Sequence, residues 1–122
     1  MKTVMIVDDE YLIADILSFA LEDEGFQTVT AASAIKALEI LDRERPDMII
    51  TDFMMPGMTG IEFAEAVKSR PRFKDTPLVL VSGAQAHLGA VRPDLFIAVF
   101  IKPFDTSLVI QQVTAAIDNE GA

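Results

Sequence analysis

Asp8, Asp9, Asp52, Ser82 and Lys102 are the residues of this chain whose types and spacing could do chemistry together. Asp8 and Asp9 follow the apolar run Thr3–Val7, Asp52 follows Met48–Thr51, Ser82 closes Leu78–Val81, and Lys102 follows Ile97–Ile101. If those runs are parallel strands of one sheet, all these groups arrive on one rim, where open α/β sheets place their ligands. Three carboxylates at close quarters repel, so either their pKa values rise or a cation sits among them. Hard oxygen donors suit Mg²⁺, which keeps several waters and prefers to bind beside a phosphate. A carboxylate can attack phosphorus to form an acyl phosphate. The metal, an ammonium and a hydroxyl would then neutralise the transferring oxygens. Taken singly, each residue has a structural reading: an Asp cap, a Ser turn, a Lys at a strand end. Their joint arrival argues for chemistry. The set suits uptake of a phosphoryl group and lacks a base for its rapid hydrolysis, since the single histidine, His87, reads as a surface residue.

The elements that must position these groups follow from hydrophobic period and chain breakers. Thr3–Val7, Met48–Thr51 and Leu78–Ser82 are short apolar runs bounded by breakers, as buried parallel strands are. From Ile13 the apolar positions 13, 16, 17, 20 and 21 fall on one helix face, and Gly25 closes that helix. Leu12 and Phe19 lie off this stripe. Gln27–Ala31 alternates in the manner of an edge strand. Ser33 is placed to cap a helix running to about Arg43, with Ala34, Ala37, Leu38 and Leu41 inward and Pro46 barring its continuation. After Asp52 the chain turns through Pro56, Gly57 and Gly60. A helix then runs from Gly60 or Ile61 to about Ser69, buried through Ile61, Ala64 and Val67. Gly83 to Leu95 has room for one or two helical turns, cut short by Gly89 and Pro93. Ile97–Ile101 is the fifth strand. Asp105 caps a last helix that ends near Asn119, with Val109, Val113, Ala116 and Ile117 on one face. Five strands alternating with helices require right-handed crossovers onto a parallel sheet covered on both faces. The expected order is 2-1-3-4-5, with the crevice between strands one and three.

Composition sets the outer limits. A chain of 122 residues is one domain with one core. Hydrophobic residues make up 51%, yet no apolar run approaches the roughly 18 residues of a membrane span. Acids at positions 8, 9, 10 and 15 run against a secretory signal. Without cysteine there is no disulfide framework or thiolate metal site, which fits a reducing cytoplasm. A net charge of −9 disfavours direct nucleic-acid binding and leaves room for a basic partner or a divalent cation.

Four motifs then carry a resemblance: Val-Asp-Asp-Glu at 7–10, the run from Asp52 through Met-Met-Pro-Gly-Met-Thr to Gly60, Ser82-Gly-Ala, and Lys102-Pro-Phe. Over essentially its whole length the chain resembles the receiver domain of two-component response regulators. The resemblance implies a flavodoxin-like, doubly wound five-stranded sheet, here with a short or irregular fourth helix. It implies that Asp52 is the phospho-acceptor, supplied by a sensor histidine kinase or histidine phosphotransfer protein. It also implies that Asp9, Asp52 and the backbone carbonyl of Met54 hold Mg²⁺ directly, with Asp8 acting through water. Ser82 and Lys102 would each take a phosphoryl oxygen, and the Lys102–Pro103 bond would be cis. Residues 1–122 would form a single cytoplasmic receiver without an effector domain. Such a receiver assists its own phosphorylation and dephosphorylation and is not an enzyme acting on other substrates. Its output would pass to a downstream protein partner, with a second copy of the chain as a further candidate.

Three features depart from the family pattern. Val99 stands where receivers often carry an aromatic, and Phe100 has the opposite strand parity. Ser82 and Lys102 are 20 positions apart, a slightly short spacing. Thr59 replaces the usual acid before Gly60. The response to phosphorylation is therefore expected mainly in the Gly83–Leu95 segment. Leu12 and Phe19 form a candidate kinase-docking flank by analogy. Met54 and Ala84, beside the path of attacking water, offer no catalytic group, so slow self-dephosphorylation is expected. The runner-up is a phosphatase of the haloacid dehalogenase type, which needs a second Asp where Met54 stands. A flavin-binding module would need a phosphate-cradling loop rich in Ser, Thr and Gly after strand one, which this chain lacks, and a scaffold-only pseudo-receiver sits poorly with an intact acceptor set.

Overall fold

The structure, a computed structural model, describes residues 2–83 and 92–121, the last four by backbone alone. Its elements are β1 (Thr3–Val7), α1 (Tyr11–Asp23), β2 (Gln27–Ala31), α2 (Ala34–Glu44), β3 (Met48–Asp52), α3 (Gly60–Lys68), a 3₁₀ turn (Pro71–Phe73), β4 (Leu78–Ser82), β5 (Ala98–Ile101) and α4 (Thr106–Gly121). All strand pairs are parallel and the order is β2-β1-β3-β4-β5. The central strands β1, β3 and β4 are buried along nearly their whole lengths, as sheets covered on both faces require. β2 is the expected edge strand. The expected helical turns between Gly83 and Leu95 fall largely on residues 84–91, outside the described residues.

Side-chain parity splits the core into two layers. Met5, Val7, Ile49, Leu78 and Leu80 face α2 and α3, joined by Phe63, Val67 and Phe73. Val4, Ile6, Ile50, Val79 and Val81 face α1 and α4, with Leu17, Leu21, Val109, Val113 and Ile117. Val99 packs in the first layer and Phe100 in the second, so Phe100 does not occupy the side on which the aromatic is missing.

The inward face of α1 departs from expectation. Ala14, Leu17 and Leu21 are its buried residues, while Ile16, expected inward, is 56% exposed. The helix starts at Tyr11 and turns position 14 toward the sheet, which rotates position 16 outward beside Leu12 and Phe19. Small Ala14 concealed this, because the periodicity gave weight to the larger Ile13 and Ile16. On α3 the expectation missed Phe63, a fully buried side chain, and on α2 it missed Ile40.

Helix ends are fixed locally. Ser33 accepts the Lys36 amide at 3.1 Å to start α2. Asp105 Oδ1 accepts the Ser107 amide at 2.9 Å ahead of α4. Thr59 forms a capping box with Glu62: its hydroxyl accepts the Glu62 amide at 3.2 Å and Glu62 accepts the Thr59 amide at 2.9 Å. The residue that departs from the family pattern thus has a structural task.

Candidate functional site

Asp8, Asp52 and Ser82 are 3%, 5% and 1% exposed, buried as deeply as the apolar strands they terminate. Registers explain their convergence: Val7 lies opposite Thr51, Asp52 opposite Val81, and Ser82 opposite Ile101. The Lys102 amide donates to the Ser82 carbonyl at 2.8 Å, extending the β4–β5 ladder to the lysine. The Lys102–Pro103 bond is cis, as expected. Asp9, Glu10, Asp52, Met54, Ser82, Gly83 and Lys102 line one open cleft of about 400 Å³. Asp9, Asp52, Ser82 and Lys102 therefore meet in this cleft, and Asp8 joins them through Lys102 Nζ, 3.3 Å from its Oδ2. Met54 stands at the cleft and is 57% exposed. His87 and Ala84 lie outside the described residues.

The loop after β3 sets the orientation of Asp52. Its Oδ1 accepts the Phe53 amide at 2.8 Å. The Gly60 amide donates to the Phe53 carbonyl at 2.7 Å, which brings the start of α3 back over the strand end. A Cβ at Gly60 would run into the Asp52 carbonyl oxygen, so the close approach needs glycine. Across the rim, Asp8 Oδ1 accepts the Glu10 amide at 2.8 Å.

The ammonium of Lys102 ties the acids together. Its Nζ lies 3.0 Å from Glu10 Oε1, 3.3 Å from Asp8 Oδ2 and 3.4 Å from Asp52 Oδ1. Burial, reinforced by the Asp8 charge, pushes the Asp52 pKa up to about 6 against the pull of Lys102 and the Phe53 amide. Burial likewise raises Asp8, partly offset by the Glu10 amide and by Lys102. Burial works to lower the Lys102 pKa, but the Glu10 hydrogen bond and the charges of Asp8, Asp52 and Glu10 outweigh it, and the net shift is upward. One oxygen from each of Asp8, Asp9, Glu10 and Asp52 lies within 4.8 Å of the others, a grouping able to hold a cation.

Glu10 is the residue that sequence reasoning missed. It is the third of three consecutive acids, and nothing local sets it apart from a solvated helix start. Its Lys102 contact depends on how α1 leaves the rim, which no local pattern encodes.

Comparison with known proteins agrees with this geometry. The family model described as "Response regulator receiver domain" matches residues 4–114. Sporulation initiation phosphotransferase F of Bacillus subtilis is 34% identical over 107 residues, covering 85% of this chain and 84% of that protein. The phosphate regulon transcriptional regulatory protein PhoB of Escherichia coli is 30% identical over 121 residues, and this chain spans 52% of its length. Among solved structures, the Vibrio cholerae chemotaxis protein CheY4 superposes with a TM-score of 0.86 at 30% identity, covering 94% of this chain and 98% of that one. Response regulator TrrA of Thermotoga maritima, solved with Mg²⁺ and BeF, gives 0.83 at 26% identity, covering 94% and 98%. No described helix is long and apolar enough to cross a membrane. With the acidic rim, the 2-1-3-4-5 sheet and the family match in agreement, the chain belongs to the response regulator receiver domains, the phosphorylation-dependent signalling modules of two-component systems.

Proposed function

We propose that Asp52 is the residue phosphorylated in this receiver, and that the donor is the phosphohistidine of a histidine kinase or phosphotransfer protein. The observation that carries this reading is the state of Asp52 itself. It is a buried carboxylate at a strand end, opposite an ammonium, with its described contacts on Oδ1. That leaves Oδ2 to face an incoming phosphorus. Oδ2 forms the new O–P bond while the donor's bond to phosphorus breaks and its electron pair leaves with the donor. Lys102, 3.4 Å from Oδ1, is in reach of a phosphoryl oxygen carried on Asp52. The Ser82 hydroxyl, lining the same cleft, is placed to donate to another.

The donor set fits Mg²⁺. Oxygens alone crowd together, and the Asp52 pKa is raised partly by Asp8, the condition that a divalent ion relieves. Asp9, Asp52 and the Met54 carbonyl would hold it, with Asp8 one water away. Bound there, the ion would neutralise charge on the transferring oxygens. Met54 brings only a thioether to the cleft and no base to activate water, which supports a slow loss of the phosphoryl group. Loss within seconds would contradict that. The same residue disfavours the dehalogenase-type phosphatase, whose general acid it replaces.

For the donor's docking surface we infer the outer face of α1. Leu12, Ile16 and Phe19 are 63%, 56% and 64% exposed at i, i+4 and i+7, one continuous apolar row beside the rim. Output then passes through protein contacts. Incubation with acetyl phosphate and Mg²⁺, followed by intact mass, tests the acceptor assignment. The wild type gains one phosphoryl group and Asp52→Ala gains none; equal gain in both would overturn it.

A further inference from the structure

The ammonium of Lys102 has three N–H bonds and three carboxylates around it. Two of those N–H groups donate to Glu10 Oε1 and Asp8 Oδ2, and Asp52 Oδ1 is held as an ion pair at 3.4 Å. In this state Glu10 and Asp8 therefore draw the ammonium's donors away from Asp52. We propose that Glu10 is a resting-state latch on Lys102, released when Asp52 is phosphorylated, and so a positioning residue that sets how readily the phosphorylated state forms. This rests on Asp52 being the acceptor.

Two independent observations support it. Glu10 makes the shortest of the three contacts, 3.0 Å against 3.3 Å to Asp8 and 3.4 Å to Asp52. Glu10 also occupies the N-cap position of α1, yet its side chain makes no cap hydrogen bond. An N-cap side chain ordinarily serves the orphan amides of the first turn. Here the carboxylate reaches across the rim to the lysine instead.

Burial identifies which partner can let go. The side chains of Asp8 and Asp52 are 1% and 6% exposed, whereas that of Glu10 is 59% exposed. A buried carboxylate stripped of its counter-charge is costly, while an exposed one is taken up by water at little cost. When the O–P bond forms on Asp52, Lys102 hands one N–H from Glu10 Oε1 to a phosphoryl oxygen. No proton changes owner, and Glu10 turns to solvent. The Glu10 backbone stays fixed by the hydrogen bond its N–H donates to Asp8 Oδ1, so the latch moves without disturbing the acid pair.

Glu10→Gln and Lys102→Met, alone and combined, provide the test. In Glu10→Gln the mass gain from acetyl phosphate and Mg²⁺ is expected to be about two- to fivefold faster than in wild type, the range for one exposed ion pair. In the Lys102→Met background, Glu10→Gln is expected to change nothing further, a coupling that a general structural role would not produce. In metal-free protein, amine acylation of Lys102, located by peptide mass, is expected to be faster by a similar factor in Glu10→Gln. A rate in Glu10→Gln equal to or below wild type, or the same effect with and without Lys102, would overturn the latch. A wild type that gains no mass overturns the acceptor reading, whereas unchanged Lys102 acylation overturns the latch alone.

Discussion

β1, β3 and β4 each pass from a buried apolar stretch to a buried polar end, and the two regions adjoin along each strand. Their energetics are opposite. Along the strands, burial of Met5, Ile49 or Leu80 removes apolar surface from water and stabilises the fold. At the rim the same burial raises Asp8 and Asp52 against ionisation and so weakens the folded state at neutral pH. The interior is arranged for stability and its rim for reactivity, within one continuous sheet. Functional sites commonly sit where local rules of stability are broken.

The largest expected effect belongs to the apolar side. Phe63→Ala leaves a cavity between α3 and the sheet and is expected to cost about 3–5 kcal/mol in denaturant unfolding. A cost below about 1 kcal/mol would mean that the α2–α3 layer is not packed as described. At the rim the sign reverses. Because the folded-state pKa of Asp52 lies near 6, above its ordinary 3.8, the folded protein binds the proton more tightly. The stability this confers is complete below the ordinary pKa and is lost as pH rises through about 6. Asp52→Asn is therefore expected to stabilise the metal-free protein by about 3 kcal/mol at neutral pH. Metal-free wild type should gain stability between about pH 7 and about pH 5, and Asp52→Asn should flatten most of that slope. A destabilised Asp52→Asn would place that carboxylate among the groups that hold the fold together.

Smaller effects separate structural tasks from functional ones. Thr59→Ala removes half of the capping box and is expected to cost about 1 kcal/mol, with acetyl phosphate uptake unchanged. Leu12→Asp and Phe19→Asp are expected to shift stability by less than about 0.5 kcal/mol, since both side chains face water. They should nonetheless slow transfer from a cognate kinase while leaving uptake from acetyl phosphate intact. Unaffected kinase transfer would retire the α1 face as a docking surface.

Much of this was legible in the sequence, for identifiable reasons. Central strands of a parallel sheet are short apolar runs ending abruptly in polar residues, so Val7-Asp8, Thr51-Asp52 and Val81-Ser82 announce both the strands and their ends. Parity, a strict period of two, correctly separated Val99 from Phe100. Helix faces were harder. The period of 3.6 tolerates a rotation of one position, and an alanine facing the sheet at position 14 gives no hydrophobic signal against Ile16. Tertiary side-chain pairing was the least visible. Nothing local to residue 10 states that its carboxylate meets Lys102, 92 positions later.

The assignment of Asp52 is tested most directly by locating the acyl phosphate within the chain. Protein treated with acetyl phosphate and Mg²⁺ is reduced with borohydride, which converts a phosphorylated aspartate to homoserine, and is then digested and sequenced by mass. Homoserine at position 52 alone is the expected result. Homoserine at position 8 or 9, or none in a protein that has gained a phosphoryl group, would contradict the account.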